Sequence, residues 1–585
     1  MKRTRLMSGP GVQAILACSL SCLMPLFGAE PPASPEPGSP AAATAPASTS
    51  GVSEIEQLKQ MLLEQQRQIN ELKKALLGAN GAPAAPAPRA SAGSQAASTL
   101  PASQPDTPHP SIGEVASTTG ILPRATAPAP IASPFPQGGG AAEQSSPMQL
   151  KIGDAYITPV GFMDMTLVSR STNPGSGIGT NFGSIPYGNT QTGSLSETRL
   201  SIQNSRLGAR FDSIYHGWNV LGYWESDFLG QLGNPPNGGL AVSSNPYVMR
   251  LRLYWVDLTK GKFEFLAGQS WSLMTPNRAG ISPLPGNVFF SQDIDVNYQL
   301  GLVWGRIPGY RIGFHPSKKV AFGLALENSE PYVGGGNGGS AIVAPTAIAG
   351  ILGGQVNNGS SVISAAALHP DIIAKLAFDP TSKFHLEIAG VEVTNKIANP
   401  ASTPAFQTST KAGGGGSINL NFQLAKGLRI VTNNFWSAGA GRYIFGQAPD
   451  FMIRSNGTMS LVHSASTVSG FEYTAGKTLY YAYYGGVYIS RNMALDANGT
   501  TKIGYGSIAS DGQNRAIQEI TFGTNTTLMR DPKWGAINLM FQYSYLQRNP
   551  WLVTGTAPTN AHLDMGFFNL RYTLPGAAPA LPAAK

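Results

Sequence analysis

The chain has 585 residues, of which 12% are charged, with 69 glycines, two cysteines and a formal net charge of +8. So little charge and so much glycine disfavour a soluble enzyme, and a basic excess without any Lys/Arg run argues against nucleic acid. Residues 1–150 hold nine Lys/Arg and nine Asp/Glu, so residues 151–585 carry the whole excess.

Lys2, Arg3 and Arg5 open the chain, Val12–Phe27 is apolar, and Phe27-Gly28-Ala29 offers a small-residue exit. Residues 1–29 therefore read as a secretory signal peptide. Ile15-Leu16-Ala17-Cys18 loosely resembles a lipoprotein acylation box, although Leu16 is the wrong size for its position. Cys18 and Cys22 both fall in this segment, so cleavage after Ala29 leaves a chain without thiols. Residues 30–52 are rich in Pro, Ala and Ser, cannot bury a core, and read as a disordered spacer. Ser53-Glu54-Ile55-Glu56 then starts a helix with a capping box. Ile55, Leu62, Ile69 and Leu76 recur every seven residues, Leu58, Gln65 and Leu72 fill the second seam, and Gly78 is the stop. Residues 53–78 are thus expected to form a short coiled coil, which needs partner helices and is compatible with a trimer. A lone amphipathic helix on a surface is the plainer alternative. Residues 79–149 form a second linker rich in Pro, Ala, Ser and Thr.

From Leu150 on, strand signals continue to the C-terminus. In Tyr247–Met274, Leu251, Leu253 and Trp255 share one face of a period-two pattern, and Arg250, Arg252 and Tyr254 share the other. Thr259–Lys262 reverses the chain, and a second alternating run follows. Six further short turns fall at Tyr215–Gly217, His315–Lys318, Asp379–Ser382, Ala425–Gly427, Ala475–Lys477 and Asp531–Lys533. Long polar or Gly-rich loops alternate with them, near 171–196, 230–246, 272–297, 329–370, 394–411, 437–466, 491–513 and 548–560. Seven turns and eight loops predict about sixteen strands with both termini on the turn side, which places the coiled coil in the periplasm. The count requires Tyr298–His315 to be one strand despite Ile307-Pro308-Gly309. In the second strand Leu200 and Ile202 differ in parity from Leu207, Ala209 and Phe211, so a bulge is expected near Asn204. Gly413–Gly416 reads as loop ahead of a strand. Aromatic runs at Tyr480–Tyr488 and Trp534–Tyr545 suit interfacial girdles. No apolar run of eighteen or more residues follows the signal, so any membrane crossing has to be made by strands. The expected fold is all-β, a transmembrane antiparallel barrel over residues 150–574 with a tail at 575–585.

Ser205–Phe211 (SRLGARF), Tyr223–Phe228 (YWESDF) and Arg250–Met274 (RLRLYWVDLTKGKFEFLAGQSWSLM) resemble the DcaP-like trimeric porin family, as does a coiled coil behind a signal peptide. The resemblance implies a sixteen-stranded homotrimeric barrel in the bacterial outer membrane that passes small anionic solutes such as dicarboxylates. Two features depart from that family: the spacers are unusually long, and the last strand, about His562–Thr573, is followed by further residues after Tyr572.

An open barrel of this size encloses water, and its selectivity follows from lumen width and charge. Arg199, Arg206, Arg210, Arg250 and Arg252 are the candidate lumen cations, beside Tyr223, Glu225 and Asp227. A guanidinium fork suits carboxylate solutes. Equally, these arginines can simply pair with lumen acids such as Asp164, Glu225 and Asp227. The 272–297 loop, with Arg278, Asp293 and Asp295, either folds inward as a constriction or caps the barrel outside. Seven scattered histidines, including His216 and His315 in turns, show no metal-ligand spacing. There is no G-x-S-x-G elbow and no Walker motif, so neither enzyme chemistry nor a cofactor is expected. A passive outer-membrane channel is the leading reading, with membrane lipid, further copies of the chain and small anions as partners. The alternative is an envelope protein that tethers the outer membrane to periplasmic partners through the coiled coil.

Overall fold

The computed structural model describes residue 67 and residues 148–230, 247–284, 288–293, 298–350, 354–359, 365–399, 407–507 and 511–575. The chain divides into two compact units, Met1–Gln104 and Pro105–Lys585. In the first only Arg67, which is helical, is described. The expected signal peptide, spacers, coiled-coil seam (Ile55, Leu58, Leu62, Gln65, Ile69, Leu72, Leu76) and C-terminal tail beyond Pro575 lie outside the described residues.

The second unit is a wall of sixteen antiparallel strands. They are β1 (Ala155–Arg170), β2 (Glu197–Ser201 continued by Arg206–Tyr215), β3 (Trp218–Gly230), β4 (Val248–Lys260), β5 (Phe263–Trp271), β6 (Arg306–Ser317), β7 (Val320–Glu327) and β8 (Asp371–Thr381). The second half comprises β9 (Phe384–Asn399), β10 (Gln407–Ala425), β11 (Leu428–Ala438), β12 (His463–Ala475), β13 (Thr478–Ile489), β14 (Asn514–Asp531), β15 (Gly535–Pro550) and β16 (Ala561–Thr573). Each strand pairs with the next, and β1 pairs with β16 from Phe162↔Thr573 to Arg170↔Met565, which closes the barrel. Closure leaves no unpaired edge, the condition for crossing hydrocarbon with strands. Among the described residues no helix is long and apolar enough to cross a membrane.

The local reasons are visible strand by strand. Seven tight reversals lie on one side, as the turn residues require. At the first, His216 and Gly217 both take positive φ (46° and 77°), the geometry that matches the twist of a two-residue hairpin. In β2 the chain breaks register between Ser201 and Arg206: Thr166 pairs with Ser201 but Phe162 pairs with Arg206. The extra residue is the bulge expected near Asn204, and Asn204 Nδ2 fills it by donating to Thr166 Oγ1 at 3.2 Å.

Two expected element boundaries fail. Tyr298–His315 is not one strand; β6 begins at Arg306. Tyr298, Leu300, Leu302 and Val303 are instead buried with loop side chains, and apolar burial outweighs eight residues of ladder. Gly413–Gly416 is not loop but the middle of β10, paired throughout with β9 and, from Gly414 on, with β11. A Cβ on Gly415 would lie 2.6 Å from the Phe435 ring, so glycine is what lets the ring lie flat against the wall.

Outside, the wall carries exposed Met163, Leu251, Val256, Phe265, Ile312, Leu324, Leu376, Ile388, Phe522, Phe541 and Leu570, an apolar band that runs around the barrel. Near the tight turns, exposed Tyr215, Trp218, Phe263, Tyr473 and Tyr480 form an aromatic girdle. Inside, the same strands place Asp164, Arg210, Glu225, Glu387 and Arg571, all buried.

Candidate functional site

The inner wall of β1–β4 brings the sequence-predicted lumen residues together. Tyr223, Glu225 and Asp227 lie at every second position of β3 and point inward. Tyr223 stacks on Trp255 with ring centroids 5.3 Å apart and donates its hydroxyl proton to Glu225 at 3.1 Å. Arg252 donates to Glu225 (Nε, 2.6 Å) and to Asp227 (Nη1, 2.7 Å), while Arg250 forks onto Asp227 at 3.0 and 2.6 Å. Arg206 lies 3.5 Å from Glu225 and over the Phe162 ring. Three guanidiniums therefore share two carboxylates. Arg210 binds its own acid, Asp212, through two bonds, and Asp164 takes Arg571 at 2.8 Å. Arg199 faces the same way, opposite Val168, and pairs with Glu197 at 2.6 Å.

Exposure separates these groups. The side chains of Arg206 and Arg252 are 0% exposed, against 48% for Arg199 and 36% for Arg250. Most of the cluster is thus a sealed ion-pair lattice. Such a lattice is costly to break, because a buried charge left unpaired costs about 3–5 kcal/mol.

The alternation read in β4 is corrected here. Glu225 pairs with Leu253 and Ser226 with Leu251, so Arg252 is an inserted bulge residue. The bulge reverses the parity: Arg250 and Arg252 point inward, but so do Leu253 and Trp255, while Leu251 and Tyr254 face out. Leu251 therefore does not share a face with Leu253 and Trp255, nor Tyr254 with the arginines. The inserted guanidinium reaches both Glu225 and Asp227, and a strict two-residue period would hide that.

The loop after β5 folds into the barrel. Its described residues, 272–284, 288–293 and 298–305, lie in the interior and bond to wall strands far from β5 and β6. Lys375 Nζ of β8 donates to Thr275 O at 2.7 Å, and the Asn277 amide donates to Glu387 of β9 at 3.0 Å. Arg278 forks onto Glu472 of β12, with Nη1–Oε2 at 2.7 Å, and lies over the Phe290 ring. The Val303 amide reaches Asn433 of β11 at 3.2 Å, and Gln292 meets both Gln542 of β15 and Arg571 of β16. Asp293 accepts from Ser544 Oγ at 3.1 Å and from Gln542 Nε2. A second buried acid, Glu519 on β14, is its neighbour, and Glu519 Oε2 accepts from the Leu300 amide at 3.2 Å. Burial pushes the Asp293 carboxyl up to about 7. Asp295 lies outside the described residues.

Above this crossing, on the side of the long loops, the interior is apolar. Ile185, Phe290, Leu302, Val333, Tyr443 and Tyr505 come from five different loops and belong to one buried cluster. Bridges such as Trp304↔Ile444 and Val343↔Gly504 tie the loops together. Towards the tight turns, the wall is polar and charged.

Several groups of the site carry no local signal in the sequence. Glu387, Glu472 and Glu519 are single acids at alternate positions of aromatic or small-residue strands. Their inward parity was readable, but not which loop residue each would meet. Among the described residues no cluster of three or more His, Cys, Asp or Glu is placed to hold a metal ion.

No family model matches the chain, and no curated protein does. Among solved structures, the outer membrane channel DcaP of Acinetobacter baumannii matches over 74% of this chain and 100% of its own, with a TM-score of 0.51 and 12% identity. The chain therefore shares the fold of that channel, in agreement with the resemblance of its strand sequences. An anion-selective porin from Comamonas acidovorans aligns over 72% of this chain and 99% of its own, with a TM-score of 0.39 and 12% identity. A Salmonella typhi OmpF structure aligns over 73% and 100%, with a TM-score of 0.37 and 8% identity.

Proposed function

We propose that this protein is an outer-membrane porin through which small hydrophilic solutes diffuse passively, with a preference for anions. The observation that carries the reading is the closed sixteen-strand wall, apolar outside and charged inside, with a loop laid across its interior. An apolar exterior on a closed barrel suits a bilayer, and inward cations left open to solvent, as Arg199 and Arg250 are, suit a lumen that solutes enter. The net +8 carried by residues 151–585 and the three guanidiniums gathered on Glu225 and Asp227 support the anion preference. In this reading Arg199 and Arg250 are the solute-reachable cations of that wall. Arg206, Arg210, Tyr223, Glu225, Asp227 and Arg252 shape the wall behind them, and the loop bearing Arg278, Asp293 and Asp295 narrows the lumen. The protein works as a homotrimer, exported by its signal peptide, with the seam of residues 53–78 gathering three copies in the periplasm.

Planar-bilayer recording of the purified, refolded chain tests this. Stepwise conductance is expected, with a reversal potential in a potassium chloride gradient whose sign reports chloride preference. A membrane that stays silent sinks the reading. The heptad seam also favours the second reading, a periplasmic tether. Deleting residues 53–77 separates the two: a tether loses envelope integrity while conductance survives.

A further inference from the structure

The crossing loop does more than narrow the barrel: it takes a partner away from a wall arginine. Arg429 sits near the start of β11, and its direct cross-strand neighbour on β12 is Glu472. Opposite charges at such a position ordinarily pair. Here Glu472 is already occupied. Arg278 of the crossing loop takes both of its oxygens, and Tyr483 donates to Oε1 at 2.8 Å. Arg429 is left with a neutral acceptor, Asn421 Oδ1, at 3.0 Å. Among the described residues it has no carboxylate at ion-pair distance. The Asn421 amide in turn donates to the Arg278 carbonyl at 3.4 Å, which ties the two arginines to one side chain. Both guanidiniums face Glu472, Arg278 through its ion pair and Arg429 through the cross-strand register. Arg429 is also only half-buried, unlike Arg206 and Arg252.

We infer that Arg429, set beside Arg278 at the seam between the crossing loop and β11, is a carboxylate-recognising residue of the lumen. Two cations converge on one acid there, so an arriving anion meets one more positive charge than the fold neutralises. The planar fork of Arg429 offers two parallel donors to a carboxylate, which a lysine ammonium does not. The inference rests on the channel reading and adds the solute-binding group to it. Sequence reading did not select Arg429, because its natural partner stands in the next strand and the loop that takes that partner comes from the other half of the chain.

The test uses the full chain in planar bilayers, with chloride preference read from the reversal potential and added succinate as the carboxylate probe. Arg429→Gln removes the charge. Asn421→Asp neutralises it by a second route, giving Arg429 an acid while leaving it in place. Either variant should lower the chloride-over-potassium permeability ratio roughly threefold, the order expected for one charge a few ångströms from a passing ion. Arg429→Lys should keep the chloride preference but lose most of the block of chloride current by succinate. A wild-type channel without anion preference overturns the porin reading and this assignment together. A preference that survives both Arg429→Gln and Asn421→Asp overturns the assignment of Arg429 alone.

Discussion

The crossing loop is fastened to the wall at two places by opposite chemistry. At Arg278 a guanidinium meets the carboxylate of Glu472, and the attachment is strong at any pH where the acid is ionised. At Asp293 a buried acid meets Gln542, Ser544 and a second buried acid, Glu519, and burial favours its neutral form. The first anchor is an ion pair that leaves a spare cation, Arg429, next to it. The second is a buried acid that sits most comfortably in its neutral form. One short segment can thus be held firmly at one end and conditionally at the other, because a buried ion pair and a buried acid pair respond oppositely to pH.

Breaking the firm anchor should have the largest effect. Arg278→Ala leaves Glu472 buried without its cation, a loss of about 3–5 kcal/mol, offset in part if Arg429 turns to its cross-strand neighbour. Urea unfolding in detergent should report the loss, and single-channel recording should show a wider, noisier pore. The conditional anchor gives the next effect. Asp293 is held near 7, well above its ordinary 3.8, chiefly by burial. An acid whose pKa is higher in the docked loop binds more protons when docked. Docking is therefore strongest below about pH 4 and weakens as pH rises through about 7. Current fluctuations should increase between pH 5 and pH 8 in the wild type, and Asp293→Asn should make them independent of pH in that window. If the variant keeps the wild-type pH dependence, Asp293 is not the conditional anchor. The smallest effect is expected away from the loop. Arg199→Gln removes a half-exposed pair with Glu197, and stability should change by no more than about 0.5 kcal/mol.

Much of the wall was legible from the residues. Seven turn motifs set the strand count, and the parity change from Ile202 to Leu207 located the bulge that Asn204 fills. Parity failed in β4, where Arg252 is an insertion among alternating residues, because a bulge between Leu251 and Leu253 leaves no trace in composition. It failed again at Tyr298–Val303, whose apolar residues fit a strand as well as they fit the packed loops that hold them. Among the site residues, Arg250, Arg252, Glu225 and Asp227 could be grouped, since neighbouring strands of a meander are neighbours in the chain. The pairing of Arg278 with Glu472 could not, because 194 residues separate them.

The sequence by itself determined a closed antiparallel wall with an oily outside, a charged inside and long loops on one side only. Those properties follow from period-two patterning and turn chemistry, which act over a few residues. Only the tertiary structure decided that the loop after β5 enters the barrel, that most arginines are neutralised behind it, and that Arg429 loses its acid to Arg278. These outcomes depend on which distant side chains meet once the wall is closed, and burial and Coulomb attraction between such groups carry no local mark along the chain.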